Sequence, residues 1–191
     1  MKRILVCMLA LWITASCGGK GEKSAKTPPA SQENKPVQMI PDEDFTEFER
    51  LAEAYIKPYF DEAGTKSEAT VKRGDKFDLY VFGEHSTMYP MSAAEYRLVI
   101  PSGITVLSQA NCDSTILTLG KHDDDFMIAY RCAPGPKMWL VRYTCLASDS
   151  ARGGTVGIEK GHTQNYLGFA MCDEQRTLIK AKPGQAMLKV E

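Results

Sequence analysis

The side chains best suited to chemistry in this 191-residue chain are six cysteines and three histidines. Cys112, Cys132, Cys145 and Cys172 lie far apart, whereas zinc sites built from cysteine use clustered spacings such as C-x-x-C. No metal site is expected from them. His85, His122 and His162 are scattered beside polar loop residues, as solvated histidines are. The nucleophile elbow G-x-S-x-G and the zinc-protease motif H-E-x-x-H do not occur. Asp123-Asp124-Asp125 has the oxygen-rich chemistry of a calcium site, but a polar hairpin tip accounts for it more simply. Gly153-Gly154-x-x-Gly157 lacks the strand–helix setting of a phosphate loop and reads as a flexible turn. One adjacent acid–base pair remains, Glu84-His85, and a hydrolase acting on surface polymer would need it joined by an aspartate in a cleft.

The N-terminus settles what the other cysteines are for. Lys2 and Arg3 precede an apolar run from Ile4 to Ile13, the pattern of a secretory signal. The run is too short to cross a bilayer, which takes about 20 apolar residues. Ala15-Ser16-Cys17 then resembles the lipobox of bacterial lipoproteins, with Thr14 at the position where that family usually has Leu. The resemblance implies cleavage after residue 16, diacylglycerol on the Cys17 sulfur and acylation of the new amino group. Two or more acyl chains anchor a domain stably without a transmembrane helix. Gly18 stands where inner-membrane retention in many enterobacterial lipoproteins uses Asp, which points to the outer membrane. Ordinary signal cleavage, leaving a soluble chain with a free thiol, is the alternative.

With Cys7 lost and Cys17 acylated, four cysteines remain, an even number in an exported chain, and they read as two disulfides. Oxidised sulfur cannot attack, so no cysteine nucleophile is expected. The leader takes two of the 23 basic residues, leaving 21 against 24 acidic, a balance of −3. No basic stripe is present, so nucleic acid is not an expected partner, and no cofactor motif appears.

Residues 17–40 are rich in Gly, Lys, Ser, Pro and Glu and form a disordered tether. A tether of this size reaches roughly 70 Å when extended. Over 41–64 an amphipathic helix is expected: Asp44 and Glu47 fit a capping box, and Phe45, Phe48, Leu51, Ala52, Tyr55, Ile56 and Tyr59 recur at helical spacing. Pro58 and Gly64 end it. From residue 65 to 191 the period becomes two, in short runs divided by Gly, Pro, Asn and Asp. Many short strands without intervening helices predict a mostly β fold, an antiparallel sandwich with the helix packed on it.

Val71-Lys72-Arg73-Gly74-Asp75-Lys76-Phe77-Asp78-Leu79-Tyr80-Val81 resembles the opening of cohesin-like and related immunoglobulin-like sandwich domains, which begin V-x-x-G-D-x-F-x-V-x-V. The likeness runs from about residue 70 to the end, and the four cysteines are a departure from cohesins. It implies the fold and not an activity.

If Leu119 faces Asp125 across the turn 120–124, the same register places Cys112 opposite Cys132. The expected disulfides are therefore Cys112–Cys132 and Cys145–Cys172. Tyr80 and Phe82 have the opposite parity to Phe77, Leu79 and Val81, while Trp139, Val141, Tyr143 and Cys145 share one parity. Tyr80, Phe82, Tyr89, Trp139 and Tyr143 are the candidate binding surface, unless the helix covers the first two. The expected function is that of a non-catalytic, lipid-anchored envelope protein that binds a protein or glycan. The competing expectations are a subunit docking through a helix at 42–61, and the hydrolase.

Overall fold

The computed structural model describes residues 53–86, 90–133, 135–162, 167–172 and 177–191. Among them are thirteen strands and no helix. The strands are β1 (Ala54–Tyr59), β2 (Glu68–Val71), β3 (Lys76–His85), β4 (Met91–Val99), β5 (Ile104–Asn111), β6 (Thr115–Leu119) and β7 (Phe126–Ala133). They continue with β8 (Lys137–Ala147), β9 (Gly154–Glu159), β10 (Gly168–Met171), β11 (Leu178–Lys180), β12 (Lys182–Pro183) and β13 (Gln185–Val190). One sheet has the order β12-β1-β3-β8-β5. The other runs β11-β10-β4-β9-β13-β2, with β7 added along β4 and β6 along β7. The expected sandwich is present, and most neighbours are antiparallel. The pairs β1–β12 and β13–β2 are parallel.

The alternating runs read from the sequence become the strands that fill the core. Leu79 and Val81 of β3, Tyr96 and Leu98 of β4, Ile128 and Tyr130 of β7, and Val141, Tyr143 and Cys145 of β8 are buried in one cluster. Each large apolar side chain buried this way is worth about 1.5–3 kcal/mol. Gly83, on the inner face of β3, leaves room for the facing sheet: a Cβ there would lie 2.9 Å from the Phe169 ring.

A helix over 41–64 is not what the second half of that stretch forms. Ala54–Tyr59 is a strand, paired along its whole length with β3 from Ala54↔His85 to Tyr59↔Tyr80. Its alternation of buried and half-buried residues fits period two, with Ala54, Ile56 and Pro58 turned inward. Tyr55, Ile56 and Tyr59 satisfy the helical spacing as well, and long-range pairing to β3 decides between the two. Residues 41–52, with Phe45 and Phe48, lie outside the described residues, as do Cys7, Cys17, Tyr89 and the tether.

The cysteine pairing also differs from expectation. Cys132 is joined to Cys172, with Cα atoms 5.7 Å apart, and Cys112 and Cys145 are buried free thiols. The hairpin explains the difference. Leu119 pairs with Met127 rather than Asp125, and an irregularity at Ile116 then changes the parity, so that Thr115 faces Tyr130. Cys112 is thereby turned away from Cys132, since a one-residue shift reverses every side chain. β7 and β10 flank opposite edges of β4, and the disulfide closes over its beginning near Met91. Closing 40 residues in this way restricts the unfolded chain by on the order of 4 kcal/mol in the chain-entropy view.

At the centre of the core one polar contact links the two sheets. The hydroxyls of Tyr96 on β4 and Tyr143 on β8 lie 3.0 Å apart, and both residues are fully buried. Burial pushes both phenols above their ordinary pKa, so both stay neutral. Removing one hydroxyl strands the other away from water. Y143F is therefore expected to cost about 1–3 kcal/mol, and Y96F/Y143F less than the sum of the single changes. Denaturant unfolding of the four variants checks this, and strict additivity would contradict it.

Candidate binding face

The outer face of the five-stranded sheet gathers a set of aromatic and charged side chains. Strand parity puts Tyr55, Lys57 and Tyr59 of β1 on it, with Tyr80, Phe82 and Glu84 of β3. The register stacks them in rows: Tyr55 beside Glu84 beside Lys137, Lys57 beside Phe82 beside Trp139, and Tyr59 beside Tyr80 beside Arg142.

Trp139 reaches this face through a bulge. Val81 pairs with Val141, but the next residue, Phe82, pairs with Trp139, so that Leu140 is an extra residue in β8. Strict alternation would place Trp139 with Val141, Tyr143 and Cys145 in the core. The bulge turns Trp139 and Lys137 outward instead. Tyr143, expected in a binding surface, is a core residue with no exposure. Tyr80 and Phe82 lie on the outer face but are buried, at 7% and 3% exposure. Their role is support. The Tyr80 ring meets Trp139 edge-on at 6.2 Å, and the Phe82 ring meets Tyr59 edge-on at 5.3 Å.

Glu84 is the polar hub of this face. Its carboxylate accepts hydrogen bonds from Lys57 Nζ at 2.8 Å and the Tyr59 hydroxyl at 2.8 Å, and pairs with Lys137 Nζ at 3.0 Å. Burial pushes its pKa up, but the combined hydrogen bonds from Lys57, Tyr59 and Lys137 outweigh that and hold it below the usual glutamate value. The Tyr59 phenol is pushed up to about 12, by burial first and then by its bond to Glu84, so it stays a donor. Lys137 also donates to the Gly64 carbonyl at 2.7 Å and lies 4.5 Å from the centre of the Tyr59 ring. Gly64 has φ +64°, and a Cβ there would come within 2.9 Å of the Phe82 ring and 2.8 Å of Lys137 Cε. Only glycine lets that turn close over the two side chains.

Two open hollows flank Lys137. The larger, about 540 Å³, is lined by Phe82, Cys112, Lys137 and Trp139 among others. The smaller, about 330 Å³, is lined by Tyr55, Tyr59, Glu84 and Lys137 among others. Aromatic faces beside paired charges suit a ligand that offers both an apolar surface and polar groups.

The same geometry is poor for hydrolysis. Glu84 and His85 both line the smaller hollow, but as successive residues on a strand they send their side chains to opposite faces. His85 is buried at 6% exposure, and the hollow that holds Glu84 has no aspartate in its lining. A carboxylate kept ionised by two lysines is a weak proton donor at neutral pH. Elsewhere, His122 lies 5.6 Å from the Tyr143 ring. His162 lies 2.9 Å from Arg97 and 4.0 Å from Asp124. Gly154 and Gly157 belong to β9 rather than to a loop. Among the described residues no group of three His, Cys, Asp or Glu is placed to hold a metal ion.

Sequence reasoning missed Lys57, Lys137, Tyr55 and Tyr59 as members of this face. The signal was present in Tyr55-x-Lys57-x-Tyr59, an alternation hidden beneath the helical stripe.

No family model matches the chain, and no curated protein matches it in sequence. Solved structures do resemble it. A cohesin module from a family 33 glycoside hydrolase of Clostridium perfringens superposes with a TM-score of 0.51 at 12% identity, over 73% of this chain and 98% of the module. A type I cohesin from Pseudobacteroides cellulosolvens gives a TM-score of 0.49 at 10% identity, over 73% of this chain and 92% of that one. A non-cellulosomal cohesin from Archaeoglobus fulgidus gives 0.47 at 10% identity, over 71% and 91%. The first of these shows that the sandwich is cohesin-like in fold; at such identity the likeness goes no further.

The lowered pKa of Glu84 makes its stabilisation pH-dependent. The ionised form is favoured in the folded state, so its contribution is complete above the ordinary glutamate pKa of about 4.3 and is lost as pH falls through the lower folded value. E84Q is expected to cost about 1–2 kcal/mol at pH 7. It should also flatten the fall of stability with acidification below about pH 4. Thermal unfolding of both proteins across pH 2.5–7 tests this, and parallel profiles would contradict it.

Proposed function

We propose that this chain is a non-catalytic binding module. In this reading it is held to an envelope membrane by lipid on Cys17, with the outer membrane favoured by Gly18, and its sandwich engages a protein or a glycan. The observation that carries it is the pair of hollows around Lys137, with Trp139, Tyr55 and Tyr59 half-buried beside an ion-paired carboxylate. Half-buried aromatic rings braced from behind lose little freedom on binding, and they supply the apolar contact that dominates many interfaces.

Two features support a binding role over catalysis. Glu84, Lys57 and Lys137 are committed to one another, and the fold resembles a cohesin module. A tether of about 20 residues would let the domain stand off the membrane and search for its ligand. Docking through a continuous helix at 42–61 is a weaker reading, because Ala54–Tyr59 is built into the sheet.

The test uses the mature chain against a panel of envelope polysaccharides and peptidoglycan fragments, in parallel with a photo-crosslinker placed at residue 139 in intact cells. W139A is expected to weaken binding about tenfold or more and, because Trp139 packs on the core and on the Tyr80 ring, to lower the melting temperature while leaving the chain folded at 25 °C. Cross-links from position 139, absent from a control at Lys121 on the hairpin turn, would identify a protein ligand. Full binding by W139A, with cross-links from 121 alone, would sink the assignment of this face.

A further inference from the structure

The smaller hollow on the outer face opens at the point where the chain enters β1. Glu53 lines it together with Tyr55, Tyr59, Glu84 and Lys137. The Glu53 amide donates to Ser86 Oγ at 3.0 Å, and its carbonyl accepts the Ser86 amide at 2.8 Å. The chain is therefore fastened to the rim of the hollow at Glu53. Leu51, Phe48 and Phe45 stand two, five and eight positions before it. Five residues reach at most roughly 18 Å, enough to bring Phe48 over the hollow. Tyr80 and Phe82 already have the rings of Trp139 and Tyr59 against them. The apolar surface left open beside Glu53 is that of Tyr55 and Tyr59, both half-buried.

Charge supplies a second, independent argument. Lys57 and Lys182 lie 4.1 Å and 5.5 Å from the centre of the Tyr55 ring, and Lys137 lies 4.5 Å from that of Tyr59. Glu84 pairs with Lys57 and Lys137, and Glu53 lies 3.9 Å from Lys182. Three ammonium groups against two carboxylates leave one positive charge in surplus around the two rings. Residues 42–50 read Asp-Glu-Asp-Phe-Thr-Glu-Phe-Glu-Arg, five acids against one base. An acidic stretch carrying two phenylalanines, with a leucine next to it, complements such a hollow in charge and in apolar content.

We propose that residues 42–52 of the same chain dock on the outer face of the five-stranded sheet, with Phe48 and Leu51 at the smaller hollow and the acidic side chains beside Lys57, Lys137 and Lys182. Attachment to β1 makes the association intramolecular, so weak contacts suffice to hold it. Docked there, the segment is an internal occupant of the surface proposed above for an external ligand, and the two compete. Competition of this kind rests on that reading, whereas the docking itself does not.

The experiment places benzoyl-phenylalanine, a photo-crosslinker, at position 48 of the full chain. A mixture of isotopically light and heavy protein is irradiated without ligand, and the links are mapped by mass spectrometry. Links within one chain from position 48 to residues 54–59 or 136–139 are expected. In the variant D42N/E43Q/D44N/E47Q/E49Q their yield is expected to fall about fivefold or more, since several weak ion pairs are lost together. Links between light and heavy chains would make a second copy the occupant and overturn the proposal. Links confined to the eight-stranded sheet, or none at all, overturn it as well. An undiminished yield from the amide variant overturns the placement of the acids beside the lysines. Because no ligand is added, a face that binds nothing external leaves the expected links in place, and the two readings fail separately.

Discussion

The extra residue in β8 is the constraint on which the candidate site depends. A strand alternates its side chains strictly, and β8 has to satisfy two demands of opposite parity. Val141, Tyr143 and Cys145 must enter the core to meet the facing sheet, whereas Lys137 and Trp139 complete the outer face. All five are odd-numbered, so a regular strand would have to give up one set. Leu140 resolves the conflict by standing as an unpaired residue opposite the step from Val81 to Phe82. Its side chain is fully buried, and its carbonyl accepts the Cys112 amide. The bulge thus sets the exposure of Trp139, the reach of Lys137 to Glu84 and the position of the Cys112 thiol.

The rest of the sandwich holds that arrangement rigid. Tyr96 and Tyr143 tie the two sheets together by a hydrogen bond between two neutral phenols in the core. The Cys132–Cys172 bridge closes over the start of β4, where pairing becomes irregular on both of its edges, between Met91 and Ala93 towards β7 and between Ala170 and Met171 towards β10. A strand whose two partnerships both slip at one place has weak local hydrogen bonding. A covalent clamp there prevents fraying of a strand that carries Ala94, Tyr96 and Leu98 into the core.

Several of these features were legible in the residues alone. The period-two runs located nearly every strand, because a strand buried on one face must alternate. The opposed parity of Tyr80 and Phe82 correctly placed them on the second face of β3. Three things were not legible, and each turned on pairing between residues distant in the chain. Ala54–Tyr59 fits both periods, and only its register with β3 selects the strand. Cys112 fails to meet Cys132 because of a longer turn and one irregular residue at Ile116, neither of which leaves a trace in composition. Trp139 separates from Tyr143 through a bulge at a leucine, a residue with no turn chemistry to announce it.

The balance of charge on the outer face bears on what such a surface can do. A catalytic carboxylate needs a pKa near its working pH, or a neighbour that changes charge with it. Glu84 has the reverse setting, with two ammonium groups and a phenol holding it ionised. Those same contacts orient Lys57 over the Tyr55 ring at 4.1 Å and Lys137 over the Tyr59 ring at 4.5 Å. The carboxylate therefore acts as a fixed counter-charge that spreads two lysines across two tyrosines, keeping their apolar stems against the rings. Such a surface is ordered before a ligand arrives, so little side-chain entropy is lost on binding. Pre-organisation of this kind, rather than proton transfer, is the chemistry that the arrangement around Glu84 is suited to perform.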